Sequence, residues 1–242
     1  MARWKRVVAV GCTHGELVYP PARKQVLDFV RRFKPEIRFD LGDLMDTTCF
    51  RSGAAGTKDE AQSPRDDYSA ALRWMDEYEP THIAWGNHEW RMHRLMDHPK
   101  AIVATLAAQM WHGLEDKAAK LKSKTVPYTL RHGWHYVGGV AWGHGFMFNE
   151  MAVRDHAETL GCPVVMAHLH APQEAEGRTI KDTHSFCVGG LVDDENLEYG
   201  NLRRASLRHG HGVVFGQVSE TEAHLWLAYS ENRKPIYFPP GL

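Results

Sequence analysis

Short apolar runs that stop at a glycine predict the strands of this chain. The run at 7–10 is entirely apolar and ends at Gly11, whereas 37–41 alternates apolar and polar residues before Gly42. Runs of this length, bounded by turn-forming residues, are typical of β-strands. The same criteria predict strands at 81–85, 128–130, 135–137, 140–142, 164–167 and 185–188, and a closing hairpin at 213–218 and 224–229.

Helical spacing of apolar residues follows several of these runs. A helix is predicted from Pro20 to about Phe33, because a proline suits the first helical turn, and others are predicted at 68–78 and 151–160. Strands alternate with helices in the first half of the chain, and hairpins dominate the second half. This order predicts an α/β fold in which two sheets pack together with helices outside.

Two segments fall outside this alternation. Residues 90–121 are largely helical in pattern, with interruptions near Pro99 and Gly113, and we predict a helical insertion that forms a cap over the functional site. Residues 50–66 are small and polar, which predicts a mobile loop. Both segments belong to a single predicted domain of residues 1–242, because no repeat or domain-scale linker interrupts the sequence.

The composition is that of an ordinary globular protein, apart from its 16 histidines. The 29 lysines and arginines nearly balance the 30 aspartates and glutamates, so the sequence implies no overall attraction to nucleic acid or to an anionic membrane. No apolar run approaches the roughly 20 residues of a membrane helix, and the first residues lack a signal-peptide pattern. We therefore predict a cytoplasmic protein without membrane contact.

The four cysteines are scattered, which argues against a disulfide framework.

Side chains that can bind metals stand directly after five of the predicted strands. They occur in the segments Gly11-Cys12-Thr13-His14-Gly15, Leu41-Gly42-Asp43-Leu44-Met45-Asp46, Gly86-Asn87-His88-Glu89, Gly143-His144-Gly145 and Ala167-His168-Leu169-His170. Open α/β sheets bind ligands at the carboxyl ends of their strands, so we expect these side chains to meet. Histidine and carboxylate ligands suit Mn, Fe or Zn. Two such ions about 3.5–4 Å apart can clamp the attacking and leaving oxygens of a phosphate ester.

The ordered set resembles the motifs of the calcineurin-like metallophosphoesterase family, which run Asp-x-His, Gly-Asp-x-x-Asp, Gly-Asn-His-Glu, Gly-His and Gly-His-x-His. They appear here in that order between Gly11 and His170, about two-thirds of the chain. The resemblance implies a four-layer α/β/β/α sandwich of two mixed sheets flanked by helices. It also implies a dinuclear metal centre that hydrolyses phosphate mono- or diesters with a metal-activated water. The substrate would be a phosphorylated small molecule, or a nucleotide or nucleic-acid phosphodiester, and the oligomeric state stays open.

Carried over motif by motif, the resemblance implies which residues would hold the two divalent or trivalent ions. The first ion would be bound by Cys12, His14, Asp43 and His170. The second ion would be bound by Asp43, Asn87, His144 and His168. Asp43 would therefore bridge the two ions.

The same carry-over implies two residues that act without binding metal. His88 would donate a proton to the leaving oxygen or stabilise its developing charge. Asp46 would orient His88 through the other ring nitrogen. The chain also offers Arg51, Arg91 and Arg94 as candidates for contact with the substrate phosphate.

This chain departs from the family pattern at two places: Cys12 stands where the family has aspartate, and Ala167 where it usually has glycine. If the first strand stays extended to His14, side chains two apart point the same way, so Cys12 would face the ion with His14. A coordinating thiol loses its proton and could supply the negative charge of the missing aspartate. Because sulfur is a soft ligand, the first site would favour Zn or Fe.

Two other functions stay open. A nuclease of the same family needs a basic track with stacking aromatic residues, and its candidates here are Trp90, Arg91, His93, Arg94, Lys117, Lys120, Lys122 and Lys124. A non-catalytic scaffold with a degraded metal site would explain Cys12, whereas His88 and Asp46 argue against it. His209 and His211 are spaced like metal ligands but lie outside every motif.

Overall fold

A computed structural model describes residues 3–181, 183–197, 204–231 and 233–239. Within these ranges the strands are β1 Lys5–Val10, β2 Ile37–Asp40, β3 His82–Ala84, β4 Lys124–Val126, β5 Trp134–Val137, β6 Val140–Gly143, β7 Val164–Met166, β8 Pro172–Ala175, β9 Ser185–Val188, β10 Gly210–Val218 and β11 Ala223–Glu231. The α-helices are α1 Pro20–Phe33, α2 Pro64–Tyr78, α3 Asn87–Leu95, α4 Ala101–Lys120 and α5 Ala152–Leu160.

The strands form two mixed sheets. The first sheet has the order β11-β10-β1-β2-β3-β4, parallel from β1 to β4 and antiparallel at β10 and β11. The second has the order β5-β6-β7-β9-β8, with parallel pairs in the middle and an antiparallel pair at each edge. The carboxyl ends of β1, β2 and β3 therefore lie along one edge of the first sheet, and those of β6 and β7 along one edge of the second.

Helices cover the outer face of each sheet, so the fold has four layers. Between the sheets, Phe39 of β2 stacks on Trp142 of β6 with ring centroids 4.4 Å apart, inside an apolar core built from both sheets. A second core joins the first sheet to α1, α2 and α4. A third joins the second sheet to α5. The predicted α/β/β/α sandwich of two mixed sheets flanked by helices is confirmed.

Local sequence sets the start of the first two helices. α1 begins at Pro20. Proline has no backbone N–H, and an N–H in the first helical turn would have no partner within the helix, so proline costs nothing there. α2 begins at Pro64, four residues before the predicted start, because the Ser63 hydroxyl accepts a hydrogen bond from the Asp66 N–H at 3.3 Å and caps the helix there. None of the described helices has the length and apolar character needed to cross a bilayer.

The strand prediction is wrong at two places. Residues 128–130 form a turn, in which the Gly133 N–H donates to the Thr129 carbonyl at 3.0 Å. The strand lies just before them, as β4, whose mostly exposed residues give no apolar pattern. The other missed strand, β8, begins at Pro172 and is an edge strand, where a proline that cannot donate is tolerated.

The two segments outside the alternation have ordinary local structure. The 50–66 segment contains the 3₁₀ turn Lys58–Ala61. The 90–121 insertion consists of most of α3 and all of α4, and the buried residues of α4 pack into the core between the helices and the first sheet. Its predicted function as a cap stays a prediction. So does the single domain of residues 1–242, whose two ends lie outside the described residues.

A pair of buried histidines joins the two sheets at β3 and β5. The ring of His82 lies 5.0 Å from that of His135, edge to face, and neither side chain is more than a tenth exposed. His135 donates from Nε2 to the Ile83 carbonyl at 3.0 Å. Burial, and after it the neighbouring His135, lowers the pKa of His82 to about 4.

We expect His82 to make the fold less stable in acid. An unfolded histidine titrates near about 6.5. Between that pH and pH 4 the unfolded state takes up a proton at His82 that the folded state does not, so the free energy of unfolding falls as the pH falls. In urea unfolding of metal-free protein, His82→Gln should lessen the loss between pH 7 and pH 4 by about 2 kcal/mol. Identical curves for His82→Gln and wild type would contradict the assignment.

Candidate metal centre

Five strand ends meet at one end of the sandwich and bear the predicted ligands. Cys12 and His14 follow β1, Asp43 follows β2, Asn87 and His88 open α3 after β3, His144 follows β6, and His168 and His170 follow β7. The parallel direction of the central strands in each sheet puts these residues at the same end. Potential ligand atoms from both sheets form compact groups there.

The backbone takes the left-handed conformation at five of these residues. The φ angle lies between +53° and +69° at Cys12, His14, Asp43, His168 and His170. This conformation is uncommon for residues other than glycine, so the surrounding structure must hold it. The expectation of an extended strand from position 12 to position 14 is therefore wrong. The chain turns after β1, and both side chains nevertheless reach the same donor group.

Glycines allow the strand ends to approach one another. A Cβ on Gly42, whose φ is +90°, would lie 2.4 Å from the nitrogen of Gly86, and a Cβ on Gly86 would lie 2.2 Å from Asp43 Oδ1. The Ala167 methyl faces Gly11, where a Cβ would lie only 2.8 Å away. Alanine is therefore accommodated in place of the family's glycine because the residue opposite has no side chain.

The first donor group consists of Cys12, His14, Asp43 and His170, with their ligand atoms within 4.8 Å of one another. His14 Nδ1 donates to Asp46 Oδ1 at 2.7 Å, so Nε2 carries no proton when the ring is neutral. That Nε2 atom faces His170 Nε2 at 2.9 Å. Two ring nitrogens at this distance need a proton or a cation between them, so the group fits a metal ion.

The second donor group consists of Asp43, His144 and His168, with Asn87 beside it. His144 Nδ1 lies 2.7 Å from the Leu41 carbonyl and must donate to it, which leaves Nε2 as an acceptor in the neutral ring. Nε2 lies 3.2 Å from an Asp43 carboxylate oxygen, 3.0 Å from the Asn87 amide oxygen and 3.1 Å from His168 Nδ1. A cation would satisfy all four ligand atoms at once.

Asp43 belongs to both donor groups, and its charge governs the protonation of the others. Burial opposes its ionisation, but the imidazoles of His144, His88 and His14 hold the pKa of Asp43 well below its usual range. Burial and then the Asp43 charge raise the pKa of the Cys12 thiol well above its usual value. A metal ion that binds this thiol must therefore displace a proton.

The buried carboxylate of Glu89 holds the turn that contains Asp43. It accepts hydrogen bonds from the N–H groups of Asp43, Met45 and Gly86 at 2.9–3.0 Å. Burial, and after it the Asp43 charge, raises the pKa of Glu89 to about 7. These three bonds fix the end of β2 against the start of α3.

A second buried carboxylate, that of Asp67 on α2, holds the next part of the same turn. It accepts from the N–H groups of Asp46 and Thr47 at 2.8–3.1 Å. Asp40 does the same at the end of β2, where it accepts from the Gly42 N–H at 3.0 Å. The turn from 42 to 47 is thus held by carboxylates from both sides of it.

Asp46 contacts two histidines of the centre. Its carboxylate bonds to His14, as described above, and lies 3.6 Å from His88 Nδ1, while its backbone carbonyl accepts the hydrogen bond from that nitrogen. The ring of His88 then presents Nε2 at 3.9 Å from a carboxylate oxygen of Asp43. Burial lowers the pKa of His88 to about 4. Asp46 therefore positions two histidines, one through its side chain and the other through its backbone.

The three predicted phosphate-binding arginines have different surroundings. Arg91 lies next to the centre, where its Nη1 donates to the Asp46 carbonyl at 3.3 Å and to the carbonyl and hydroxyl oxygens of Thr47 at 3.1 and 2.8 Å. Arg51 forms an ion pair with Asp59 in the preceding segment. Arg94 is exposed near the end of α3. Contact between any of them and a substrate stays a prediction.

Tyr128 is a residue near the centre that the sequence did not single out. Its ring lies edge to face with that of His144, with centroids 5.7 Å apart. Burial, and after it the Asp43 charge, raises the pKa of Tyr128 to about 12, so its hydroxyl stays protonated at neutral pH. Because residues 128–130 were predicted to form a strand and not a turn, the sequence did not indicate that the Tyr128 side chain lies near the centre.

The His-Gly-His spacing at 209–211 separates into two environments. The ring of His209 lies 5.3 Å from that of His170, at the border of the first donor group. His211 is buried, donates from Nδ1 to the Gly190 carbonyl at 3.2 Å, accepts at Nε2 from the Arg233 N–H at 3.1 Å and stacks on Tyr19. The two histidines therefore do not act as one pair of ligands.

The fold is similar to that of known phosphoesterases. A metallophosphoesterase from Sphaerobacter thermophilus superposes with a TM-score of 0.52 at 14% sequence identity, over 96% of this chain and 90% of that one. Other matches are a 5'-nucleotidase precursor from Thermus thermophilus (TM-score 0.46, 12% identity, 95% of this chain and 55% of that one) and Yfce, a phosphoesterase from E. coli (TM-score 0.41, 14% identity, 93% and 98%). No protein-family model and no curated protein matches the sequence. The chain has a metallophosphoesterase fold, which confirms the resemblance at the level of the fold.

We expect the Cys12 thiolate to be a metal ligand. Because the thiol is protonated in the metal-free protein, Zn binding should release about one proton more from wild type than from Cys12→Ala. Cobalt-loaded wild type should show a sulfur-to-metal absorption band that both Cys12→Ala and Cys12→Asp lack. Metal analysis should find at least one equivalent fewer in Cys12→Ala, with partial recovery in Cys12→Asp.

Cys187 provides the matched control, since it is equally buried but lies outside the donor groups. Cys187→Ala should keep the absorption band and the metal content. If Cys12→Ala kept two metal ions with an unchanged spectrum, the thiolate ligand would have to be abandoned.

Proposed function

We propose that this chain is a metal-dependent phosphoesterase with a dinuclear centre. The observation that supports this most directly is the position of Asp43, one buried carboxylate shared by two compact groups of metal-ligand atoms. A carboxylate shared between two ions is what in-line displacement at phosphorus by a two-metal mechanism needs. The proposed ligands are Cys12, His14, Asp43 and His170 for one ion, and Asp43, Asn87, His144 and His168 for the other.

The donor chemistry indicates which ions fit. Imidazole and carboxylate ligands suit Mn, Fe and Zn, and the thiol of Cys12 shifts the first group towards Zn or Fe. When bound, the ions would supply positive charge that polarises the phosphoryl group and activates water for attack. The protein's own contribution is to hold the ligands in place, which the hydrogen bonds from His14 to Asp46 and from His144 to Leu41 do.

His88 is the proposed proton donor to the leaving oxygen. It belongs to neither group that contains Asp43, yet its Nε2 points at the shared carboxylate while Nδ1 is held by the Asp46 carbonyl. The negative charge of a phosphate ester favours the protonated ring. The proposed substrate is a phosphorylated small molecule or a nucleotide, and the choice between monoester and diester needs assay.

We expect His88→Ala to keep both metal ions but to lower kcat by about 10²–10⁴, the range for loss of an acid–base group. Asp43→Asn should instead lose activity together with at least one metal ion, because a neutral amide bridges two cations poorly. Metal analysis and hydrolysis of p-nitrophenyl phosphate, bis-p-nitrophenyl phosphate and single-stranded DNA would measure both effects. His184→Ala, a change at an exposed histidine just before β9, should alter neither property.

Each outcome separates the candidate functions. Loss of metal from His88→Ala would make His88 a ligand and overturn its assigned role. Hydrolysis of single-stranded DNA alone would favour the nuclease. A fully metal-loaded wild type that cleaves none of the three compounds would refute the phosphoesterase and leave the scaffold.

A further inference from the structure

A cavity of about 170 Å³ shares a wall with the second donor group. It lies at the carboxyl end of β6, where the chain crosses from β4 of the first sheet to β5 of the second. Its principal lining side chains are Tyr128, Leu130, Trp134, His144 and Phe146. Four of these five are aromatic rings or imidazole, and only His144 belongs to the proposed centre.

Specific contacts hold the aromatic side chains of the cavity wall in place. Trp134 lies edge to face with Phe146, with centroids 6.4 Å apart, and its indole N–H donates to the Leu130 carbonyl at 3.3 Å. The polar atom of the indole is thus satisfied within the protein, and its ring offers apolar surface. Gly143 permits this placement, because a Cβ there would lie 2.5 Å from the indole ring.

The same wall connects the cavity to the centre. His144 presents Nε2 to Asp43 and Asn87, while its ring borders the cavity and lies edge to face with that of Tyr128. A group that occupied the cavity would therefore lie next to a phosphate held at the second donor group. Leu130 is 61% exposed, so apolar surface continues to the rim.

The size of the cavity favours one planar ring. An apolar cavity of about 150 Å³ in another protein binds benzene, whereas a water molecule needs two to four polar partners. Aromatic side chains also attract rings through edge-to-face and offset contacts. A cavity of this volume with aromatic walls is thus better suited to a six-membered ring than to an alkyl chain or to water.

We propose that this cavity is a substrate subsite that binds an aromatic ring in the alcohol part of the phosphate ester. The inference rests on the proposed phosphoesterase function and adds the substrate class to it. A pyrimidine nucleoside and a benzyl alcohol share the required chemistry, which is a single planar ring a short distance from the esterified oxygen.

The test compares esters with the same kind of leaving oxygen. Uridine 5'-monophosphate and ribose 5-phosphate differ by the base, and benzyl and propyl phosphate differ by the ring. In wild type, kcat/KM should be at least about 10-fold higher for the ring-bearing member of one or both pairs. A higher kcat/KM for uridine 5'-monophosphate would show that the cavity binds a nucleobase, and a higher kcat/KM for benzyl phosphate would show that it binds a simple aryl group.

Leu130→Ala and Phe146→Ala should lower these ratios towards one while leaving kcat/KM for ribose 5-phosphate and propyl phosphate unchanged. That second result shows that folding and metal content are intact. Tyr136→Ala is the matched control, an exposed aromatic residue of β5 outside the cavity lining, and should keep the ratios.

Binding gives a readout independent of turnover. On the metal-loaded His88→Ala protein, calorimetry should give a dissociation constant at least about 10-fold lower for uridine 5'-monophosphate than for ribose 5-phosphate, or for benzyl than for propyl phosphate. Ratios near one for both pairs in wild type, alongside hydrolysis of p-nitrophenyl phosphate, would overturn the subsite and leave the phosphoesterase intact. If no ester is hydrolysed, the phosphoesterase fails, and equal dissociation constants within both pairs would overturn the subsite separately.

Discussion

The burial of the Asp43 carboxylate is the constraint on which the rest of the centre depends. A charge that is 2% exposed needs compensation from its surroundings. The imidazoles of His14, His88 and His144 all approach one oxygen of this carboxylate at 3.2–3.9 Å. Because they come from both sheets, the sandwich must bring its two carboxyl edges together for the charge to be tolerated. The same requirement makes the site receptive to cations.

The left-handed backbone at Asp43 lies in a turn that is supported by hydrogen bonds to buried carboxylates. Glu89 and Asp67 together accept hydrogen bonds from five backbone N–H groups, those of Gly86 and of four residues in the turn around Asp43. Such bonds are worth more to a charged acceptor than to a neutral one, and they offset a conformation that costs on the order of 1 kcal/mol at each residue. The carboxylates around the motifs thus have two functions. The Asp43 carboxylate is shared by the two donor groups, and the other carboxylates hold its backbone.

Much of this could be predicted from the sequence, since glycine-bounded strands followed by ligand residues indicate both the sheet edge and the chemistry. The contacts of Asp46 could not be predicted. Its spacing from Asp43 does not reveal whether the carboxylate or the backbone carbonyl of Asp46 accepts the hydrogen bond from His88. The turn at 128–130 was missed for a related reason. Tyr128 and Leu130 are apolar residues two positions apart, as in a strand. The hydrogen bond from the Gly133 N–H to the Thr129 carbonyl forms the turn, and the pattern of apolar residues does not indicate it. Tertiary contacts decide such short segments.

The two donor groups that share Asp43 have different neighbours. On one side, the buried Cys12 thiol is the proposed soft ligand, and a metal ion that bound it would displace its proton. On the other, His144 forms a wall shared with the aromatic cavity. A change of ligand at Cys12 would alter the metal preference without touching that wall. A change at Leu130 or Phe146 would alter the wall without touching a ligand. Under the proposed function, metal identity and substrate choice would therefore be separable in this fold, although both would meet at a single buried carboxylate.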